Sequence, residues 1–93
     1  MTESQLEKKV CAWAKEGGIS TLKLSGPNDR GKADRLFMRG GKMLFLEFKA
    51  EGKKPTALQE RFLKQRVDDG FVAGWTDNYN EAIDILAKYF LYE

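Results

Sequence analysis

The chain has 93 residues, 42% hydrophobic and 32% charged, and a formal net charge of +2, which describes one domain with a single core and gives little ground by itself for a nucleic-acid partner. It contains no histidine and one cysteine, Cys11; His- and Cys-based zinc sites, internal disulfides, Ser-His-Asp triads and histidine general bases are all excluded. Any catalysis must therefore use carboxylates, lysines, or a hard cation held through oxygen.

Thr2 and Ser4 each open a capping-box pattern, with Gln5 and Glu7 three residues on. Leu6, Val10, Trp13 and Ala14 follow at helical spacing as far as Gly17-Gly18, which predicts a first helix. Residues 19–25 are rich in β-formers, with Leu22 and Leu24 on one face, and residues 25–32 (SGPNDRGK) form a glycine-bearing, basic turn region. Residues 33–49 read ADRLFMRGGKMLFLEFK, two apolar-rich runs around Gly40-Gly41. Gly-Gly between strand-like runs signals a hairpin, because the turns that match strand twist need positive φ. Its strands are expected at 34–39 and 42–50. Residues 51–55 make a basic connector. Thr56 then caps a second helix whose buried stripe is Leu58, Phe62, Leu63 and Val67, closed by Gly70. Residues 71–76 read as a buried strand, and Asn78 or Asn80 starts a last helix with Ala82, Ile85, Leu86, Tyr89 and Phe90 turned inward. Trp13, Phe62, Phe71 and Trp75 are expected in the core. The order αβββαβα, with no repeat or linker, is an α/β fold over residues 1–93: one mixed sheet with an antiparallel hairpin, flanked by helices. No apolar run approaches the ~18 residues of a membrane span, and the N-terminus lacks the form of a signal peptide. A cytoplasmic protein is expected, with no membrane partner and with Cys11 as a small buried side chain.

Pairing across a turn centred on Gly40-Gly41 matches Arg39 with Lys42, Phe37 with Leu44 and Leu36 with Phe45. Each pair of numbers has the same sum, and so do 34 and 47. Asp34 and Glu47 should therefore face each other, their Cβ atoms roughly 5 Å apart. Like charges placed opposite one another are destabilising unless they surround a cation. Lys49 lies two residues beyond Glu47, on the same face, and Leu36, Met38, Met43 and Phe45 make that face partly apolar. Charge desolvated there needs a partner. An acid pair with an adjacent lysine is suited to metal-assisted phosphodiester cleavage. Taken alone, each element is an ordinary solvated charge.

The surrounding charge has the matching sign. Across residues 23–54 there are nine positive residues (Lys23, Arg30, Lys32, Arg35, Arg39, Lys42, Lys49, Lys53, Lys54) against four acids (Asp29, Asp34, Glu47, Glu51). Lys53 and Lys54 follow the acid-bearing strand and could either contact phosphate or solubilise the connector. Glu7 shares a helix face with Cys11 and Ala14, bordering the apolar stripe. Gln59 completes a capping box with Thr56, yet it also begins the inward side of the second helix.

The order αβββαβ, an acidic residue on the first helix, Gly31-Lys32-Ala33-Asp34, Glu47-Phe48-Lys49 and Gln59 resemble the PD-(D/E)XK nuclease superfamily, and within it a stand-alone virus-type replication-repair nuclease (VRR-NUC) domain. Where that family usually has a proline before the aspartate, this chain has Ala33. The resemblance implies a restriction-endonuclease-like core and a DNA endonuclease dependent on Mg²⁺ or Mn²⁺. Asp34, Glu47 and the backbone carbonyl of Phe48 would hold the ion, and Lys49 would act on the attacking water as base or on the phosphate as cation. Glu7 would bind a water or second ion, and Gln59 would position Lys49 or the phosphate. Arg30, Lys32, Lys53 and Lys54 would bind DNA. It further implies a homodimer acting on branched DNA, as a Holliday junction resolvase does. The alternatives are a nickase, flap or repair nuclease on duplex DNA, a non-catalytic DNA-binding subunit that keeps the fold, and a small interaction domain without a nucleic-acid role.

Overall fold

The computed structural model describes residues 1–24, 31 and 33–92. Arg30 and Lys32, both expected at the DNA, lie outside the described residues.

Helix α1 (Glu3–Glu16) begins at Thr2, the first of the two candidate caps. The Thr2 hydroxyl accepts from the Gln5 N–H at 3.1 Å, and Gln5 Oε1 accepts from the Thr2 N–H at 2.9 Å. Two donors at the open helix end are thereby satisfied. Strand β1 (Ser20–Lys23) precedes the hairpin of β2 (Arg35–Arg39) and β3 (Lys42–Phe48). The turn between them holds Gly40 at φ 59° and Gly41 at φ 81°, the pair of positive angles that two-residue hairpins require. Side chains at both edges of the turn reach back to the helices: Arg39 Nη1 donates to the Gly17 carbonyl at 2.9 Å, and Lys42 Nζ to that of Tyr89 at 3.0 Å. Helix α2 (Ala57–Asp68), strand β4 (Val72–Thr76) and helix α3 (Tyr79–Leu86) follow. A π-helical turn, Ala87–Leu91, extends α3, with the Tyr92 N–H bonded to the Ala87 carbonyl at 3.1 Å.

The sheet order is β1-β2-β3-β4. The first three strands are antiparallel, and β4 runs parallel to β3, as a strand returning through a helical crossover must. Phe37, Leu44, Leu46 and Phe48 point to one face, where Leu6, Val10 and Ala14 of α1 and Ala82 and Leu86 of α3 close the main core. The other face carries Leu36, Met38, Met43 and Phe45 by alternation. Phe45 meets Phe62 of α2 and Phe71 edge-on, each at 5.9 Å between ring centres. The α/β architecture and element order agree with the sequence-based expectation.

Burial on that second face is lighter than expected. In α2 only Leu63 is buried, while Leu58 and Val67 are exposed, because a single helix covers a narrow band of the sheet. Strand β4 is an edge strand. Phe71, Val72 and Trp75 keep substantial exposure and Thr76 is its buried residue, which corrects the reading of residues 71–76 as a buried strand and of Phe71 and Trp75 as core. Phe62 and Trp13 are half-buried. Tyr89, Phe90 and Leu91 pack against the core, leaving Tyr92 as the exposed aromatic of that stretch at 62%. Cys11 is half-buried, and burial is the main cause of its raised thiol pKa. Among the described residues, no helix is long and apolar enough to cross a membrane.

Candidate metal centre

The hairpin ladder ends with Arg35 opposite Leu46, so the next step places Asp34 opposite Glu47. Asp34 stands just before β2. Its carbonyl accepts from the Leu24 N–H at 3.0 Å, and its Oδ2 accepts from the Phe48 N–H at 2.8 Å. On the other side, Glu47 is in register with Trp75 of β4. Leu24, Asp34, Glu47 and Trp75 thus form one row across the sheet, on the face away from the main core.

Glu47 is 1% exposed, and among the described residues its Oε2 has no hydrogen-bond partner. Its carboxyl pKa is pushed up to about 9, first by burial, then by the hydrogen bond and the negative charge of Asp34; Lys49 opposes the shift and Glu3 adds to it. Without a cation, the carboxyl holds a proton at neutral pH, because a buried carboxylate in contact with the charge of a second one is costly to ionise. A divalent cation would relieve the same repulsion without the proton. The donor set fits a hard ion: two carboxylates and only oxygen atoms, one of them unsatisfied. Among the described residues, no three His, Cys, Asp or Glu side chains converge. A cation here would therefore complete its shell with a backbone carbonyl or water. Phe48, whose N–H fixes Asp34, ends β3 beside the pair.

Lys49 follows Glu47 on the same face, and its N–H bonds the Thr76 carbonyl at 3.0 Å, which holds β3 against β4 beyond the last ladder position. Glu7 is engaged elsewhere. Its Oε2 accepts from Arg35 Nε at 2.7 Å and from Lys23 Nζ at 3.4 Å. Arg35 alternates to the α1 face, opposite the acid pair. Glu3 of α1 adds only the smallest of the influences on Glu47, and its side chain is exposed. Gln59 performs its capping role: Oε1 accepts from the Thr56 N–H at 2.9 Å, and its own N–H donates to the Thr56 hydroxyl at 3.2 Å.

Lys53 and Lys54 are exposed on the connector that leaves the acid-bearing strand. That connector is braced by the Gly52 N–H on Asp77 Oδ2 at 3.0 Å and the Lys53 N–H on the Ala50 carbonyl at 2.9 Å. Gly31, at φ 90°, runs against the start of α2, where a Cβ would come within 3.0 Å of Leu58 Cβ. Among the described residues, four of the central cations are spent on the protein itself: Lys23 and Arg35 on Glu7, Arg39 and Lys42 on backbone carbonyls.

No family model matches the sequence. Over 60 residues, the chain is 38% identical to "Putative nuclease p44" of Acyrthosiphon pisum secondary endosymbiont phage 1. The match covers 63% of this chain and 64% of the relative, so the chain spans less than two thirds of that protein. A solved structure described as a VRR_NUC domain superimposes with a TM-score of 0.80, covering 99% of this chain and all of the other at 24% identity. A second, described as a VRR_NUC domain protein, gives 0.78 over 96% of this chain and 88% of its own at 18% identity.

Proposed function

We propose that this chain, which has the VRR-NUC fold, is a DNA endonuclease dependent on Mg²⁺ or Mn²⁺, with Asp34 and Glu47 as its metal ligands. One observation carries the reading: a nearly inaccessible glutamate with an oxygen unpartnered among the described residues, set against a second carboxylate just before the adjacent strand. The similarity to a phage protein named as a nuclease supports it. When bound, the cation would polarise the phosphoryl oxygen, lower the pKa of an attacking water and neutralise developing charge.

The chain's own groups have distinct tasks in this proposal. The Phe48 N–H orients Asp34, and the Phe48 carbonyl is the candidate third protein oxygen. Lys49 sits where it can act on the attacking water or on phosphate charge. Gln59, at the first turn of α2, is left as a positioning group for Lys49 or the phosphate. Lys53 and Lys54, with Arg30 and Lys32, would hold phosphates that do not react.

The finer reading is a homodimer that resolves branched DNA, four-way junctions in particular. One centre cuts one strand per visit, so opposed cuts need two copies, and a two-fold substrate is matched by a two-fold assembly. The alternative within the same chemistry is a nickase, flap or repair nuclease. Retention of Asp34, Glu47 and Lys49 together disfavours a DNA-binding subunit without catalysis. The test is incubation of pure protein with labelled duplex and four-way-junction DNA, with and without Mg²⁺ or Mn²⁺, beside Glu47→Ala. Cleavage that needs the ion and Glu47 supports the nuclease; equal cutting of both substrates removes the junction preference. Sedimentation at micromolar concentration tests the dimer, and a strictly monomeric species that still makes opposed cuts refutes it.

A further inference from the structure

Among the exposed aromatic side chains, Trp75 alone shares the row of the acid pair. It is Glu47's partner in the parallel ladder, so the two side chains leave the same sheet face from strands about 4.8 Å apart. Trp75 is 37% exposed, while Glu47 beside it is 1% exposed. The other apolar exposures have different placements. Phe71 sets its ring edge-on to Phe45, Val72 pairs with Leu44 and alternates to the opposite face, and Tyr92 lies at the far end of the chain beyond the π-helical turn. No ring pair among the described residues includes Trp75.

The Trp75 indole is partly open to solvent, and it borders a site whose proposed chemistry calls for a phosphate. The two features fit one ligand. A nucleotide whose phosphate sits at Asp34 and Glu47 carries its base one sugar away, and a base released from its pair has an open π-face. In an intact duplex both faces of that base are already stacked on neighbours, so the indole gains nothing. We infer that Trp75 is a stacking platform for an unpaired base adjoining the scissile phosphate, which makes DNA with a base displaced at the cut the preferred substrate class. This rests on the nuclease reading and sharpens it, since Trp75 then separates substrates that the carboxylates treat alike.

The test compares Trp75→Ala and Trp75→Phe with wild type, in Mg²⁺, on two DNAs of the same sequence around the cut: one fully paired, one with the bases at the cut unpaired. Trp75→Ala is expected to lose between about fivefold and a hundredfold in kcat/KM on the unpaired DNA, the range of a single base–aromatic stack, and to stay within twofold on paired DNA. Trp75→Phe, which keeps a π-face, should recover most of the loss. An unchanged ratio between the two DNAs in Trp75→Ala overturns the inference, and so does an equal loss on both. A second readout is independent of catalysis. The chain has two tryptophans, so Trp13→Phe leaves Trp75 as the only one, and its fluorescence can be titrated with a short single strand in Ca²⁺, a hard cation offered to the carboxylates in place of Mg²⁺. Quenching that a matched duplex does not produce supports the platform; no quenching overturns it. A wild-type protein that cuts neither DNA would sink the nuclease reading, while this titration would still judge Trp75.

Discussion

The backbone N–H of Phe48 donates to Asp34 Oδ2 at 2.8 Å, so the residue following one candidate ligand orients the other. The two carboxylates are coupled through the main chain as well as through their charges. Asp34→Asn keeps an oxygen for that N–H but lowers the charge of the pair. It is expected to fold normally, with a circular dichroism spectrum like the wild type, and to lose at least about a hundredfold in cleavage rate, more than the loss typical of groups that merely support a metal ligand. Wild-type cleavage by this variant would remove Asp34 from the centre.

The raised pKa of Glu47 sets the pH dependence of the metal-free protein. Its carboxyl pKa is about 9 in the fold, against an ordinary value of 4.5. Between those values the folded state holds a proton that the unfolded chain has released, so stability falls as pH rises, by up to ~1.4 kcal/mol per pH unit from this group. Below the ordinary value both states are protonated and the group adds no slope. Melts in chelator across this window should show the decline, and Glu47→Gln should flatten it. Saturating Mg²⁺ should also flatten it, because an ion that displaces the proton leaves the folded and unfolded states equally deprotonated across this window. A flat wild-type profile in chelator would contradict the buried, protonated Glu47.

Lys49 and the connector lysines should separate in kinetics. Lys49→Ala is expected to reduce cleavage far more than DNA binding. The double variant Lys53→Ala, Lys54→Ala is expected to weaken binding and leave the cleavage rate at saturating DNA near normal. If each of those lysines neutralises one phosphate, removing both reduces the slope of log K against log salt by roughly 2. An unchanged slope in a binding titration would return them to ordinary surface.

Gly31 is constrained twice, by φ 90° and by the 3.0 Å that would separate its Cβ from Leu58 Cβ. Gly31→Ala should destabilise the protein by about 1–2 kcal/mol through the backbone angle alone. Adding Leu58→Ala leaves that Cβ contact in place, since alanine retains the atom, whereas Leu58→Gly removes it. Thermal melts should therefore show partial relief of the Gly31→Ala defect only in the glycine background, after correction for Leu58→Gly itself.

Local chemistry made most of the fold legible. Thr2 and Thr56 announce their helices through side-chain hydrogen bonds that depend on three residues of spacing, and Gly40-Gly41 sets a register that carries Asp34 opposite Glu47 without further information. What failed was burial across longer distances. The apolar run Phe71, Val72, Ala73, Trp75 has the composition of a covered strand, and no periodicity says that β4 lies at an edge under a single helix. The same limit applies to Glu7: it borders the inward side of α1, and only the position of Arg35 on the α1 face shows that it is already engaged. The electropositive centre was overcounted for a related reason, since Arg39 and Lys42 go to carbonyls whose proximity only the folded chain creates.

The burial of Glu47 has a consequence for the order in which the molecule assembles. Asp34 and Glu47 lie at the open end of a hairpin closed by a two-residue turn, and such hairpins form in ~1–10 μs. Strand β4 must first be brought back through α2 before it can pair, a non-local step that pays its loop-closure cost before it gains contacts. The two acids therefore meet while still hydrated, when their repulsion costs little, and are sealed from water only as β4 and α2 dock. A proton or a cation captured at that late step becomes part of the folding reaction. In chelator at high pH, where neither is available, amide exchange should be fastest in α2 and β4 while the hairpin that carries the acids stays protected.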